Sequence, residues 1–81
     1  MRVRVKLFAA ASEIAGRNEA QVEVPRGATV QDVGRSLVAA YPKLEAIVPF
    51  ARWAVDREFA AAGTIVDEKS ELALIPPVSG G

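Results

Sequence analysis

Leu72-Ala73-Leu74-Ile75-Pro76-Pro77 runs apolar for four residues without alternation and then meets two prolines. Unbroken apolarity suits a strand covered on both faces, often a parallel one at the centre of a sheet. Pro76 and Pro77 end it, because two consecutive residues without an N–H cannot continue a ladder. The strand to set beside it comes from the other end of the chain. Arg2 to Phe8 alternates strictly, with Val3, Val5 and Leu7 on one face and Arg2, Arg4 and Lys6 on the other, the period of a half-buried strand.

The residues between these two strands supply the rest of the layer. Ala9 to Ala15 is Ala-rich and is followed by Gly16, which predicts a short helical turn with a glycine cap. Gln21 to Val24 alternates again before Pro25-Arg26-Gly27, a turn sequence, and gives a second strand antiparallel to the first. Thr29 followed by Asp32 is a capping-box-like start, with Asp a weaker partner than Glu. Val30, Val33, Leu37, Val38 and Tyr41 then form one stripe of a helix that ends ahead of Pro42. Gly34 inside that helix is either a point of close approach to the sheet or simply tolerated. Lys43 to Phe50 reads as an irregular or helical crossover whose apolar residues close the core.

Trp53 to Ala60 alternates and predicts a third strand, one face aromatic and the other partly charged. Gly63 to Ser70 is a loop carrying Ile65 and Val66. The order strand, strand, helix, strand, strand predicts an α+β domain with one main helix across a mixed sheet. With the first and last strands adjacent at its centre, that sheet is the ubiquitin-like β-grasp. The division predicted is a domain over residues 1–75 and an extended Gly-Gly tail over 76–81.

Composition excludes several classes of function. The chain has 81 residues, enough for one domain. With 10 Lys and Arg against 10 Asp and Glu it lacks the basic excess that nucleic acid or anionic membrane calls for. It has no Cys and no His, which removes most metal ligands, thiol nucleophiles and near-neutral bases, so no metal site is expected. The apolar run Leu7 to Ala11 is too short for a signal peptide, and no stretch reaches membrane-spanning length. A cytoplasmic location is expected.

The chemistry is concentrated in Pro76-Pro77-Val78-Ser79-Gly80-Gly81. Two prolines favour an extended exit from the sheet. Two glycines without Cβ atoms make a tip slim enough to thread a narrow channel and present the terminal carboxylate of Gly81 to another protein's active site. An inert, frayed terminus is the alternative, and at average glycine usage a Gly-Gly end arises in only about 0.5% of chains.

Glu71 to Gly81, together with Val5-Lys6-Leu7-Phe8-Ala9 and Glu13-Ile14-Ala15-Gly16, closely resembles the small-subunit family of molybdopterin synthase. The resemblance spans the whole chain and is most specific in the apolar strand running into Pro-Pro-Val-Ser-Gly-Gly. It implies a sulfur carrier with no bound cofactor, inert alone. A ubiquitin-activating-like adenylyltransferase uses ATP to adenylate the Gly81 carboxylate, and a sulfur donor protein displaces AMP to leave a thiocarboxylate. The large synthase subunit then receives the tail and passes the sulfur to cyclic pyranopterin monophosphate in molybdenum cofactor biosynthesis. The residues it implies at the partner contact are Pro76, Pro77, Val78, Ser79, Gly80 and Phe8. Ser12 stands where the family often has an arginine, which removes any ionic contact made there.

Three further functions share parts of this pattern: sulfur carriage for thiamine or tRNA thiolation, ubiquitin-like modification of lysines, and a plain interaction domain with an inert tail. Asp56 and Glu58 form an acid pair on the third strand, where a solvated face is the default over acid–base work. Arg2, Arg4 and Lys6 read as a solvent- or partner-facing row. Phe8, Trp53 and Phe59 read first as core residues. A carrier that docks on two enzymes in turn is expected to expose an apolar patch on its sheet.

Overall fold

Val3, Val5 and Leu7 are buried on one side of β1 (Arg2–Leu7) while Arg2, Arg4 and Lys6 stay exposed on the other, so the alternation of the sequence is the alternation of the strand. The computed structural model describes residues 1–77. β1 is followed by α1 (Ala9–Ala15), β2 (Glu19–Glu23), α2 (Val30–Ala40), two 3-10 turns (Pro42–Ala46 and Val48–Phe50), β3 (Arg52–Val55), β4 (Glu58–Ala60) and β5 (Glu71–Ile75). The strands make one mixed sheet in the order β2-β1-β5-β3-β4. β5 runs parallel to β1, with Val5 opposite Leu72 and Leu7 opposite Leu74, and antiparallel to β3. The first and last strands are adjacent and central, as the apolar run ending at Ile75 predicts, and the fold is the ubiquitin-like β-grasp.

α2 lies across the face that carries Val3, Val5, Leu72 and Leu74, and buries Val30, Val33 and Leu37 against them. Its start is a complete capping box. Thr29 Oγ1 accepts from the Asp32 N–H at 3.3 Å and Asp32 Oδ2 accepts from the Thr29 N–H at 2.9 Å, so Asp serves here despite its shorter reach. Gly34 is a point of close approach. A Cβ on it would sit 3.3 Å from Val48 Cγ1 and 3.5 Å from Trp53 Cζ2, so the glycine lets the helix settle against the crossover and β3. Gly16 caps α1 with φ 73, donating its N–H to the Ser12 carbonyl at 2.9 Å.

Several expectations need correction. The third strand is a hairpin: Asp56 (φ 51) and Arg57 (φ 72) form a two-residue turn between β3 and β4, with Val55 opposite Glu58. Both positive φ values match the right-handed twist of the flanking strands. The turn is tied to β5, because the Asp56 N–H donates to the Glu71 carbonyl at 2.8 Å and Asp56 Oδ1 accepts from the Glu71 N–H at 2.9 Å. Asp56 is therefore a structural acceptor rather than half of an acid pair. The fold also places Phe59 opposite Ala54, on the face away from Trp53, so the aromatic face of a single strand does not exist.

β5 is covered on one face only. Leu72 and Leu74 are fully buried, whereas Ala73 and Ile75 on the opposite face are half-buried. The crossover closes the core through Leu44, but Phe50 is 71% exposed. Of the three aromatics read as core, Trp53 is buried and Phe8 and Phe59 are at the surface.

Two carboxyls are held below their ordinary range. For Asp32 the leading cause is the Thr29 backbone N–H, then the Thr29 hydroxyl; for Glu71 it is the hydrogen bond from Lys6 Nζ at 2.8 Å, then the charge of Lys6. A carboxyl with a lowered folded pKa contributes stability above its unfolded value and loses it as pH falls through the folded value. Stability is thus full at neutral pH and declines on acidification below about pH 4, less steeply in salt because both groups are exposed. Thr29→Ala is expected to cost about 1 kcal/mol at neutral pH. It also flattens the acid decline, which urea titrations at neutral and acid pH measure.

Candidate functional site

The face of the sheet opposite α2 divides into two halves. Across β1 and β2 it is charged: Arg2 pairs with Glu23 at 3.3 Å, and Lys6 pairs with Glu71, at the start of β5, at 2.8 Å. Across β5, β3 and β4 it is apolar, formed by Ala73, Ile75, Ala54 and Phe59, with Phe8 at the end of β1. Phe59 is 65% exposed and Phe8 47%. These residues bound a shallow cleft of about 260 Å³ rimmed by Lys6, Arg57 and Glu71. Its apolar side chains are small or flat, and an apolar surface of this kind is more stable covered than wet.

The patch sits at the root of the tail. Ile75 is the last residue of β5 and a wall of the cleft, and Pro76 and Pro77 follow it outside the strand, Pro76 half-buried and Pro77 exposed. Val78, Ser79, Gly80 and Gly81, the remaining residues assigned to partner contact and sulfur transfer, lie outside the described residues. Phe8 is thus brought beside the strand that leads to them. Ala54, Ala73 and Ile75 were not among the site residues singled out from the sequence, and Phe59 was read there as core. The signal for them was the lost alternation in Leu72–Ile75, where the second apolar set marks an uncovered face.

Arg52 adds a directional element. Its guanidinium carbon lies 4.4 Å from the centroid of the Phe59 ring, a cation–π contact that leaves the edges of the guanidinium available for hydrogen bonds. Ser12 Oγ donates to Asn18 Oδ1 at 2.7 Å, a local tie that shortens the reach of this position compared with an arginine. Among the described residues no group of three or more His, Cys, Asp or Glu side chains is placed to hold a metal ion. No helix among them is long and apolar enough to cross a membrane. Among the described residues the arrangement is an exposed apolar sheet face beside the end of β5 rather than a set of converging acids and bases.

Comparison with known proteins agrees with this geometry. The sequence model of the ThiS family matches residues 5–81. The molybdopterin synthase sulfur carrier subunit of Arabidopsis thaliana is 36% identical over 81 residues, covering 100% of this chain and 84% of that protein. Small archaeal modifier protein 1 of Haloferax volcanii is 40% identical over 84 residues, covering 94% of this chain and 97% of that protein. The crystal structure of that modifier matches with a TM-score of 0.89 at 37% identity, with 100% of each chain covered. A complex of subunits 1 and 2 of molybdopterin-converting factor from Helicobacter pylori holds a chain of the same fold, with a TM-score of 0.68 at 18% identity and 100% of both chains covered.

Proposed function

This chain belongs to the ThiS family, and from that membership we propose that it is the sulfur carrier subunit of a molybdopterin synthase. Residues 1–75 are the docking domain and 76–81 the tail it delivers. The observation that carries the reading is the apolar sheet face of Phe8, Ala73, Ile75 and Phe59 at the root of Pro-Pro-Val-Ser-Gly-Gly. Docking on that face aims the tail.

The chemistry follows from the chain end. A carboxylate is a poor electrophile, so the adenylyltransferase joins it to AMP from ATP and releases pyrophosphate. The terminal sulfur of a persulfide on the donor protein then attacks the acyl carbon and AMP departs, leaving an acyl disulfide; a second thiol attacks the donor's inner sulfur, forms a disulfide with it and releases Gly81 as a thiocarboxylate. On the large synthase subunit the thiocarboxylate sulfur bonds to cyclic pyranopterin monophosphate, and water then cleaves the Gly81 acyl–sulfur bond, leaving the sulfur on the pterin and restoring the Gly81 carboxylate. The carrier needs no base, metal or cofactor of its own, since ATP enters at the activating enzyme and the transfer site lies on the large subunit. We place these steps in the cytoplasm.

Two experiments bear on this. Protein isolated from its own cells should contain a fraction heavier by one sulfur in place of one oxygen, located by fragmentation at Gly81; its absence under conditions of active cofactor synthesis counts against the proposal. Phe59→Asp should leave stability within about 0.5 kcal/mol, the range for exposed positions, yet weaken binding to the large subunit at least about tenfold. The likeness to the archaeal modifier favours one second reading, attachment of the tail to lysines of other proteins. Isopeptide-linked Gly81 on digested cellular proteins is the product that reading requires.

A further inference from the structure

A second, larger hollow lies around the edge of the sheet from the docking face. It is a groove of about 840 Å³ between α2 and the β3–β4 hairpin, walled by Val30, Val38 and Val48, with Trp53 beneath and the run Ala60 to Ala62 along the outer lip. Its size has a local cause. The hairpin leaves β4 through alanines that meet only the start of α2, where the Gln31 N–H donates to the Ala62 carbonyl at 3.0 Å, and their side chains are too short to cover the helix further along, so Val38, part of its apolar stripe, is left half-buried.

Two features say what fits it. Among the described residues the charged ones lining the groove are Arg35 and Arg52, so its rim is cationic. Among the described residues Arg52 has no carboxylate within ion-pair distance, and Arg35 has only an exposed contact of 3.7 Å to Asp32, whose other oxygen is engaged by Thr29. The second feature is continuity. Phe59 lines both this groove and the cleft on the open sheet face, so a protein covering that face meets the groove at its edge across Phe59 and the Arg52 guanidinium stacked on it.

We infer that the groove receives a segment of the large synthase subunit that carries aliphatic side chains and a carboxylate, so that docking wraps from the open sheet face past Phe59 onto α2. The inference rests on the sulfur-carrier reading for its partner and extends it to a surface beyond the open sheet face. Aliphatic groups meet Val38, Val48 and Trp53, and the carboxylate meets Arg35 and Arg52, where charge complementarity fixes the orientation of docking.

The test uses the full chain and a purified large subunit. Ala61→Glu places bulk and the wrong charge at the lip while keeping the backbone bond from the Thr64 N–H to the Ala61 carbonyl. Arg35→Glu reverses the rim, Arg35→Lys keeps its charge, and Arg26→Glu makes the same charge change at an exposed turn outside the groove. 5-Fluorotryptophan at Trp53, the one tryptophan, reports by fluorine resonance whether each unbound variant keeps the native groove.

With that resonance unmoved, Ala61→Glu and Arg35→Glu are expected to bind at least about tenfold more weakly than Arg26→Glu, and Arg35→Lys to recover most of the loss. Binding by both variants equal to that of Arg26→Glu overturns the groove while leaving the sulfur-carrier reading intact. Failure of the unaltered chain to bind any competent large subunit removes that reading, and the groove's partner with it.

Discussion

Removal of Gly81 is expected to abolish ATP-dependent adenylation while the domain melts as before. The core is closed by residues between Val3 and Leu74, and β5 ends at Ile75, so the deletion takes away none of the buried residues described. What it does take away is the position of the reacting carboxylate. A new carboxylate on Gly80 stops one residue short, and one residue of extended chain spans at most about 3.6 Å. A displacement of even 1 Å from productive geometry can cost about a hundredfold in rate. A residue added after Gly81 should fail in the same way. Pyrophosphate release with the activating enzyme and a thermal melt, taken on the same preparations, separate chemistry from folding. Adenylation of the truncated chain at the normal rate would show that the tail is not the substrate.

Leu74→Ala should have the largest effect on stability, a loss of about 2–5 kcal/mol, because it combines lost burial with a cavity in a close-packed interior. Leu74 is fully buried, lies opposite Leu7 in the parallel ladder and opposite Trp53 in the antiparallel one, and faces the α2 side of the sheet. Its neighbours are held in two ladders and have little freedom to collapse into the space. For a domain of this size such a loss is a large share of the total stability, which is about 0.05–0.15 kcal/mol per residue. Ala73→Ser, one residue away on the half-buried face, is expected to change stability far less. Urea denaturation of the two variants decides it, and a loss below about 1 kcal/mol for Leu74→Ala would contradict the central place of β5.

The parts of the fold legible in the sequence were those where one physical signal acted alone. The alternation of Arg2–Leu7, the Thr29–Asp32 cap and the stripe of α2 each name an element and the face it buries. The hairpin at Asp56-Arg57 was hidden, because Asp-Arg is a poor turn signal and alternation continues through it in register. Only the tie between Asp56 and Glu71, distant in sequence, makes the turn intelligible.

β5 was misread because Ala73 and Ile75 are apolar on a face that the rest of the described chain leaves open, and a sequence cannot distinguish a face covered by its own chain from one that is not. Phe59 was read as core on the same ground. The sequence marks the tail as a candidate for chemistry because the chain has no Cys and no His, whereas the exposed apolar face at the end of β5 becomes visible only with the strand order.

The decisive measurement is reconstitution. Carrier whose Gly81 has been converted to a verified thiocarboxylate is mixed with active large subunit and cyclic pyranopterin monophosphate, and molybdopterin is assayed against carrier ending in an ordinary carboxylate. Sulfur carriage predicts product only with the thiocarboxylate, in proportion to the carrier consumed. No product from the thiocarboxylate, with a large subunit that is active on another carrier, would contradict it.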